Sequence, residues 1–294
     1  MEERDKKFNP MGGLRKTLPD VRDFRLGNIV KLPKLEDLPK TFILETLEIK
    51  HQGNTDYCTA YASCLASELQ ENILLEPSWS FAASKFITQD KDEWGQGIRE
   101  ALKAHIDLGA IEQKDSPFNT ENKDDQFLRD FNNWPNELRN NGYKHRKKSY
   151  FKIEGQYDHF DDLRASIWLY KTPIIMGLIW GWPLEQVYLE EPQESGFGHA
   201  ISAIGFADVE KDGKVEPYLI IQNSYGKNAG ENGKHYLSRR VVNDAVEKYM
   251  AFMFIDIPKE EAKFLNEHKL STKWRFLYKL SSVLKSYFSF FLTN

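Results

Sequence analysis

The apolar residues of this chain change period partway along, and that change limits the fold more than any other feature. From Cys58 to about residue 75, Ala60, Cys64, Leu65, Leu69 and Ile73 recur at helical spacing, and Pro77 ends the run. A second helical pattern covers residues 81–89, and a third covers 98–108 with Gly109 placed as a C-cap. After residue 150 the chain turns β-rich. One more helix is expected over 160–170, then strands over 173–180, 200–206 and 218–222, with Asp212-Gly213 as a hairpin signal between the last two. Helices first and an antiparallel sheet afterwards predict an α+β fold with segregated lobes.

The flanks of this pattern read differently. Residues 1–13 are polar and glycine-ended, which predicts a loose arm. Residues 14–50 alternate Leu-Pro turns with short apolar pieces, as suits an extended segment wrapped over a surface. Residues 119–148 are rich in Asn, Asp, Lys and Arg and predict a solvated insertion. In the tail, 258–294, Trp274, Leu277, Leu280, Leu284, Tyr287, Phe288 and Phe291 fall at three- and four-residue spacing among Lys269, Lys273, Arg275, Lys279 and Lys285. That is the pattern of a basic amphipathic helix, suited to docking on the domain, to a protein partner or to a membrane surface, and too interrupted by charge to span one. The expected organisation is therefore an arm (1–13), a domain (14–257) and a tail.

With 40 basic and 44 acidic side chains, the formal charge of −4 gives no support to a nucleic-acid partner. The two cysteines, Cys58 and Cys64, sit six residues apart on one expected helix, too far apart to bridge. No apolar run follows the charged start of the chain as a secretory leader would require, so a reducing cytoplasmic compartment is expected, one that would keep a thiol usable. The histidines show no metal-ligand spacing, and no metal or other cofactor is expected.

Cys58 stands where a Gly-Asn-Thr-Asp turn gives way to a helix, so the positive end of the helix dipole should favour its thiolate. His199 in Gly198-His199-Ala200 supplies a base that would take the thiol proton and later return it. Asn223 would orient the ring, and Gln52, six residues before the thiol, would donate to an oxyanion. The three stretches must then converge at a solvent-reachable groove.

The interval from Gln52 to Cys58, the His-Ala that opens an alternating apolar strand, and Asn223-Ser-Tyr-Gly-Lys-Asn-Ala-Gly-Glu-Asn-Gly resemble the papain-like cysteine peptidases over residues 14–257. Thr-Ala after the cysteine and Leu-Pro-Asp-Val-Arg-Asp-Phe at 18–24 are similar to bacterial and viral members. The resemblance implies a two-lobed fold, helical on one side and an antiparallel sheet or barrel on the other, with a cleft between. It implies an endopeptidase acting through a thioester on peptide or protein substrates. It also implies substrate contacts at Gly95, Gly97, Gly198 and Tyr225, the last in place of a tryptophan that shields the His–Asn bond. Asp56, Tyr57 and Thr59 depart from the family pattern, and Asp56 would oppose a thiolate. Two alternatives therefore stand beside the peptidase: an inactive binding module of the same fold, and an acyltransferase or crosslinking enzyme.

Overall fold

The two apolar periods become two lobes in the computed structural model, which describes residues 12–118, 125–211 and 213–255. In chain order the elements are α1 (Leu26–Ile29), β1 (Thr41–Ile43), α2 (Cys58–Glu71), α3 (Pro77–Thr88), α4 (Ile98–Asp107), α5 (Asp125–Arg129) and α6 (Glu137–Lys144). Then come β2 (Ser149–Lys152), α7 (His159–Tyr170), β3 (Ile174–Trp180), β4 (Tyr188–Leu189), β5 (Phe197–Lys211), β6 (Lys214–Gln222), β7 (Lys234–Leu237), α8 (Arg239–Tyr249) and β8 (Ala251–Ile255).

Local chemistry sets the helix ends. α2 stops at Asn72, whose left-handed φ of 57° lets its N–H reach back to Glu68. Pro77 opens α3 rather than closing the run before it, where its missing N–H costs nothing, and the Glu76 carboxylate caps the Ser78 amide at 2.9 Å. Gly109 closes α4 as expected, with φ +71° and its N–H on Ala104 O at 3.0 Å.

The strands form one open sheet in the order β2-β8-β3-β5-β6-β7-β4, with β1 added on β5. It is not closed into a barrel. The expected antiparallel pairing holds except at β4 and β7, which run parallel. α2 lies against β5, where the Ser202 hydroxyl donates to Ala62 O at 2.9 Å, so the helix that begins at Cys58 is seated on the strand that carries His199.

Two flanking segments do more than their composition suggests. The polar stretch 119–148, expected to be solvated, keeps Leu128, Phe131, Trp134 and Leu138 buried around Trp79, whose ring is 4.7 Å from Phe131 and 5.5 Å from Trp134. Leu128 on α5, Phe131 and Trp134 on the turn after it and Leu138 on α6 converge on the same apolar cluster, so scattered apolar residues dock the segment despite its charge. The extended segment after residue 14 enters the sheet lobe's core with Leu26, Ile29, Val30 and Leu32, and a buried Arg99–Asp23 ion pair clamps it. The tail and the expected loose residues 1–11 lie outside the described residues. No helix among the described residues is long and apolar enough to cross a membrane.

Candidate active site

Cys58 is the first residue of α2, and Tyr57 ahead of it makes no side-chain cap, so the sulfur sits at the open positive end of the helix. β5 carries His199 in register with Leu178 of β3. β6 ends at Gln222, and the next residue, Asn223, is anchored by its N–H on Gly233 O at 2.8 Å. The N–H of Ala200, adjacent to His199, turns to the Cys58 sulfur. The three stretches separated in sequence thus meet. His199 Nε2 lies 2.8 Å from Asn223 Oδ1, and Gln52, buried, accepts from Ser224 Oγ at 2.5 Å while its Nε2 donates to Thr55 O at 2.8 Å.

The expectation of a solvent-reachable thiol is not met. Cys58 and His199 are both fully buried, and the chain's own residues 12–15 lie across them. The Gly13 N–H points at Cys58 Sγ from 3.4 Å. Gly13 O accepts from Gln96 N at 2.8 Å, Arg15 N donates to Gln96 O at 3.0 Å, and Leu14 N donates to Gly198 O at 3.1 Å. Trp94 Nε1 holds Gly12 O at 3.0 Å, and Arg15 pairs with Asp90. The Leu14 side chain packs into the apolar cluster that includes Cys58, Ile98, Ala200 and Met250.

This cover sets the protonation of the pair. Burial pushes the Cys58 thiol up to about 11, reinforced by the nearby Asp56 charge and opposed by the N–H groups of Ala200, Gly13 and Thr59. Burial likewise lowers His199 to about 4 against the Asn223 hydrogen bond. The covered site therefore holds a neutral thiol and a neutral imidazole, not the ion pair that the helix dipole alone would favour. Among the described residues no hydrogen bond joins the sulfur to the ring. His199 Nδ1 instead faces the Tyr225 hydroxyl at 3.2 Å. Tyr225, expected to touch substrate, is buried and lies flat on the imidazole, with ring centres 4.6 Å apart and planes within 9°. There it shields the ring.

Of the expected cleft residues, Gly198 pairs with the arm directly. Gly95 and Gly97 flank the residue that does the same, Gln96. A Cβ on Gly95, at φ +64°, would come within 2.0 Å of Gly13 O, and one on Gly97 within 2.8 Å of Thr17 Oγ1. At Gly95 glycine is needed because the arm's backbone passes so close, whereas at Gly97 the atom nearest such a Cβ belongs to the Glu100 carboxylate, at 2.1 Å. Asp56 has a different part from the one its position suggested. Its fully buried carboxylate takes the Gly95 N–H and the Arg129 guanidinium at 2.8 Å, so it is ion-paired and ties the cleft wall to the turn before Cys58. Lys85, with its side chain buried, completes the tie by donating to Gly95 O and Glu93 O, each at 2.6 Å. Cys64 is packing: it is buried, 3.2 Å from Ser80 Oγ, and pushed up to about 12 by burial.

Sequence reasoning missed Gln96, Arg129, Lys85 and the arm's place in the cleft. A signal for the last was present in Gly12-Gly13, the small residues that a backbone needs to pass between two walls. Among the described residues, no group of three or more His, Cys, Asp or Glu side chains could hold a metal ion.

The family model for papain family cysteine proteases matches residues 38–254. Among solved structures, xylellain, a cysteine protease from Xylella fastidiosa, is similar at a TM-score of 0.66 and 18% identity, covering 87% of this chain and 99% of its own. The bromelain protease from Ananas comosus matches at 0.54 and 16%, covering 74% of this chain and 99% of its own. Digestive procathepsin L 3 of the Tenebrio molitor larval midgut matches at 0.58 and 17%, covering 79% and 74%. No curated protein matches the sequence.

Proposed function

Because the chain belongs to the papain family of cysteine proteases, we propose that it is an endopeptidase that cleaves peptide bonds through a Cys58 thioester once its own arm has left the cleft. One observation carries the reading. The cleft already holds an extended polypeptide, residues 12–15, hydrogen-bonded to both walls and drawn across the sulfur. A groove that grips backbone on two sides while a side chain, Leu14, fills an apolar pocket suits a peptide with a branched apolar residue at that position.

The arm escapes cleavage because it presents an N–H to sulfur, not a carbonyl carbon. With a substrate in its place, His199 Nδ1 takes the Cys58 proton and sulfur attacks the scissile carbonyl. The Cys58 N–H and the Gln52 carboxamide receive the oxyanion. His199 returns the proton to the leaving amine, and water, deprotonated by the same nitrogen, releases the acid and restores the thiol. Asn223 keeps the ring plane fixed throughout. The ion pair with Arg129 weakens the argument for an inactive module without removing it, since the paired Asp56 carboxylate still pushes the Cys58 thiol up.

The test is product analysis. A leucine-containing peptide incubated with the protein and an excess of a small amine is expected to give the free acid. Exclusive formation of the amide of that amine would make the chain an acyltransferase, and no product from a protein with an uncovered Cys58 would make it a binding module.

A further inference from the structure

A second histidine stands behind the catalytic group. His235, on β7, is fully buried. The edge of Trp180 lies 4.9 Å from its ring, and on another side it presses so closely on the Gly230 backbone that a Cβ there would come within 2.8 Å of its Nδ1. Its Nδ1 is 2.7 Å from Gln186 O, and its Nε2 is 3.3 Å from Asn223 Nδ2.

The hydrogen-bond roles along this row follow from its two ends. A backbone carbonyl can only accept, so Gln186 O requires the hydrogen of His235 to sit on Nδ1. A neutral ring then has a bare Nε2, which accepts from the Asn223 amide nitrogen. At the other end of that amide, the Ser224 backbone N–H, which can only donate, lies 2.8 Å from Asn223 Oδ1. Both constraints agree on which end of Asn223 is oxygen. That oxygen faces His199 Nε2, which must therefore carry the hydrogen, leaving His199 Nδ1 as the bare nitrogen on the side of Tyr225 and the thiol.

On the reading of Cys58, His199 and Asn223 as the catalytic set, we infer that His235 is a positioning residue: by accepting from Asn223 it fixes the amide's orientation and so holds His199 in the tautomer whose free nitrogen can take the thiol proton. Burial pushes His235 below its ordinary value, which keeps it in the neutral form this role needs. Without it the Asn223 NH₂ is buried with no acceptor. It then gains by turning toward any other oxygen, at the expense of the bond from His199.

Ring-nitrogen NMR on the ¹⁵N-histidine-labelled full chain at neutral pH tests this without any need for turnover, so it succeeds or fails independently of peptidase activity. The wild type is expected to show His235 protonated at Nδ1 and His199 at Nε2. His235→Leu is expected to bring in the Nδ1–H form of His199 and to lower kcat/KM for a peptide by roughly tenfold, the weight of one buried hydrogen bond. His235→Gln, which has one acceptor and one donor, should restore both. A wild-type spectrum with His235 protonated at Nε2 overturns the inference, and that reading holds even if the leucine variant fails to fold. So does a folded His235→Leu protein with the His199 spectrum unchanged, or a folded His235→Gln protein that shows mixed His199 tautomers.

Discussion

Replacing Gly13 by alanine should uncover the active site. A Cβ built on Gly13 would stand 1.9 Å from Asp56 O and 2.5 Å from the carbon that bears it, backbone atoms held by the turn into α2. Neither side can yield by a rotamer change, so the arm must leave the cleft. It then gives up the bonds from Gln96 N to Gly13 O, Leu14 N to Gly198 O, Arg15 N to Gln96 O and Trp94 Nε1 to Gly12 O. At about 1 kcal/mol net for each, closure weakens by about 4 kcal/mol, close to a thousandfold in the open population. Iodoacetamide alkylation followed by peptide mapping reads this at Cys58, with Cys64 as an internal control because its burial does not involve the arm. Cys58 in Gly13→Ala should react up to roughly a thousandfold faster than in the wild type, with Cys64 unchanged. A folded Gly13→Ala protein whose Cys58 reacts at the wild-type rate would refute the argument that residues 12–15 cover the thiol.

Three further expectations follow from the geometry. Gln52→Ala, measured in the uncovered protein, should lower kcat by about 10²–10³ with little change in KM, since an oxyanion donor acts mainly in the transition state. Arg129→Met should destabilise the fold by about 3–5 kcal/mol in urea unfolding, because it leaves the fully buried Asp56 carboxylate without its counter-charge, whereas Asp56→Asn with Arg129→Met should recover part of the loss. Stability should also fall on acidification. His199 is lowered to about 4 and His105 to about 3 by burial, so the unfolded chain binds protons that the folded one refuses, and stability present above pH 6.5 is lost as pH falls toward 4. For His199 alone the loss approaches about 3 kcal/mol by pH 4. His199→Gln should lessen the slope of the unfolding free energy over that range, leaving the part due to His105, and an unchanged slope would contradict the assignment.

Much of this site could be read from the residues because its parts are local. A cysteine at a turn-to-helix junction, a histidine opening an apolar strand and an asparagine ending another each carry a pattern over a few neighbours, and their order along the chain resembles one family. The α+β division followed from the change of period at the same level. What escaped depends on pairings distant in sequence. Asp56 looked harmful because Arg129 and Gly95, 73 and 39 residues away, do not announce themselves as its partners. The insertion around Trp134 looked solvated because composition averages over two short helices and a turn, whose few apolar side chains are enough to dock it. The Gly12-Gly13 pair was read as a loose end, since nothing in a polar arm states that a cleft between two lobes is waiting for its backbone. His235 was weighed only as a metal ligand, and its link to Asn223 exists only once β6 and β7 are paired.

The central claim is that Cys58 becomes acylated by peptide substrates when the arm is displaced. Rapid acid quenching of Gly13→Ala protein with a leucine-containing peptide ester, then peptide mapping by mass, measures that intermediate. The account predicts an acyl group on Cys58 alone, and no turnover after Cys58→Ala; an acyl group on Cys64, or hydrolysis persisting in Cys58→Ala, would contradict it.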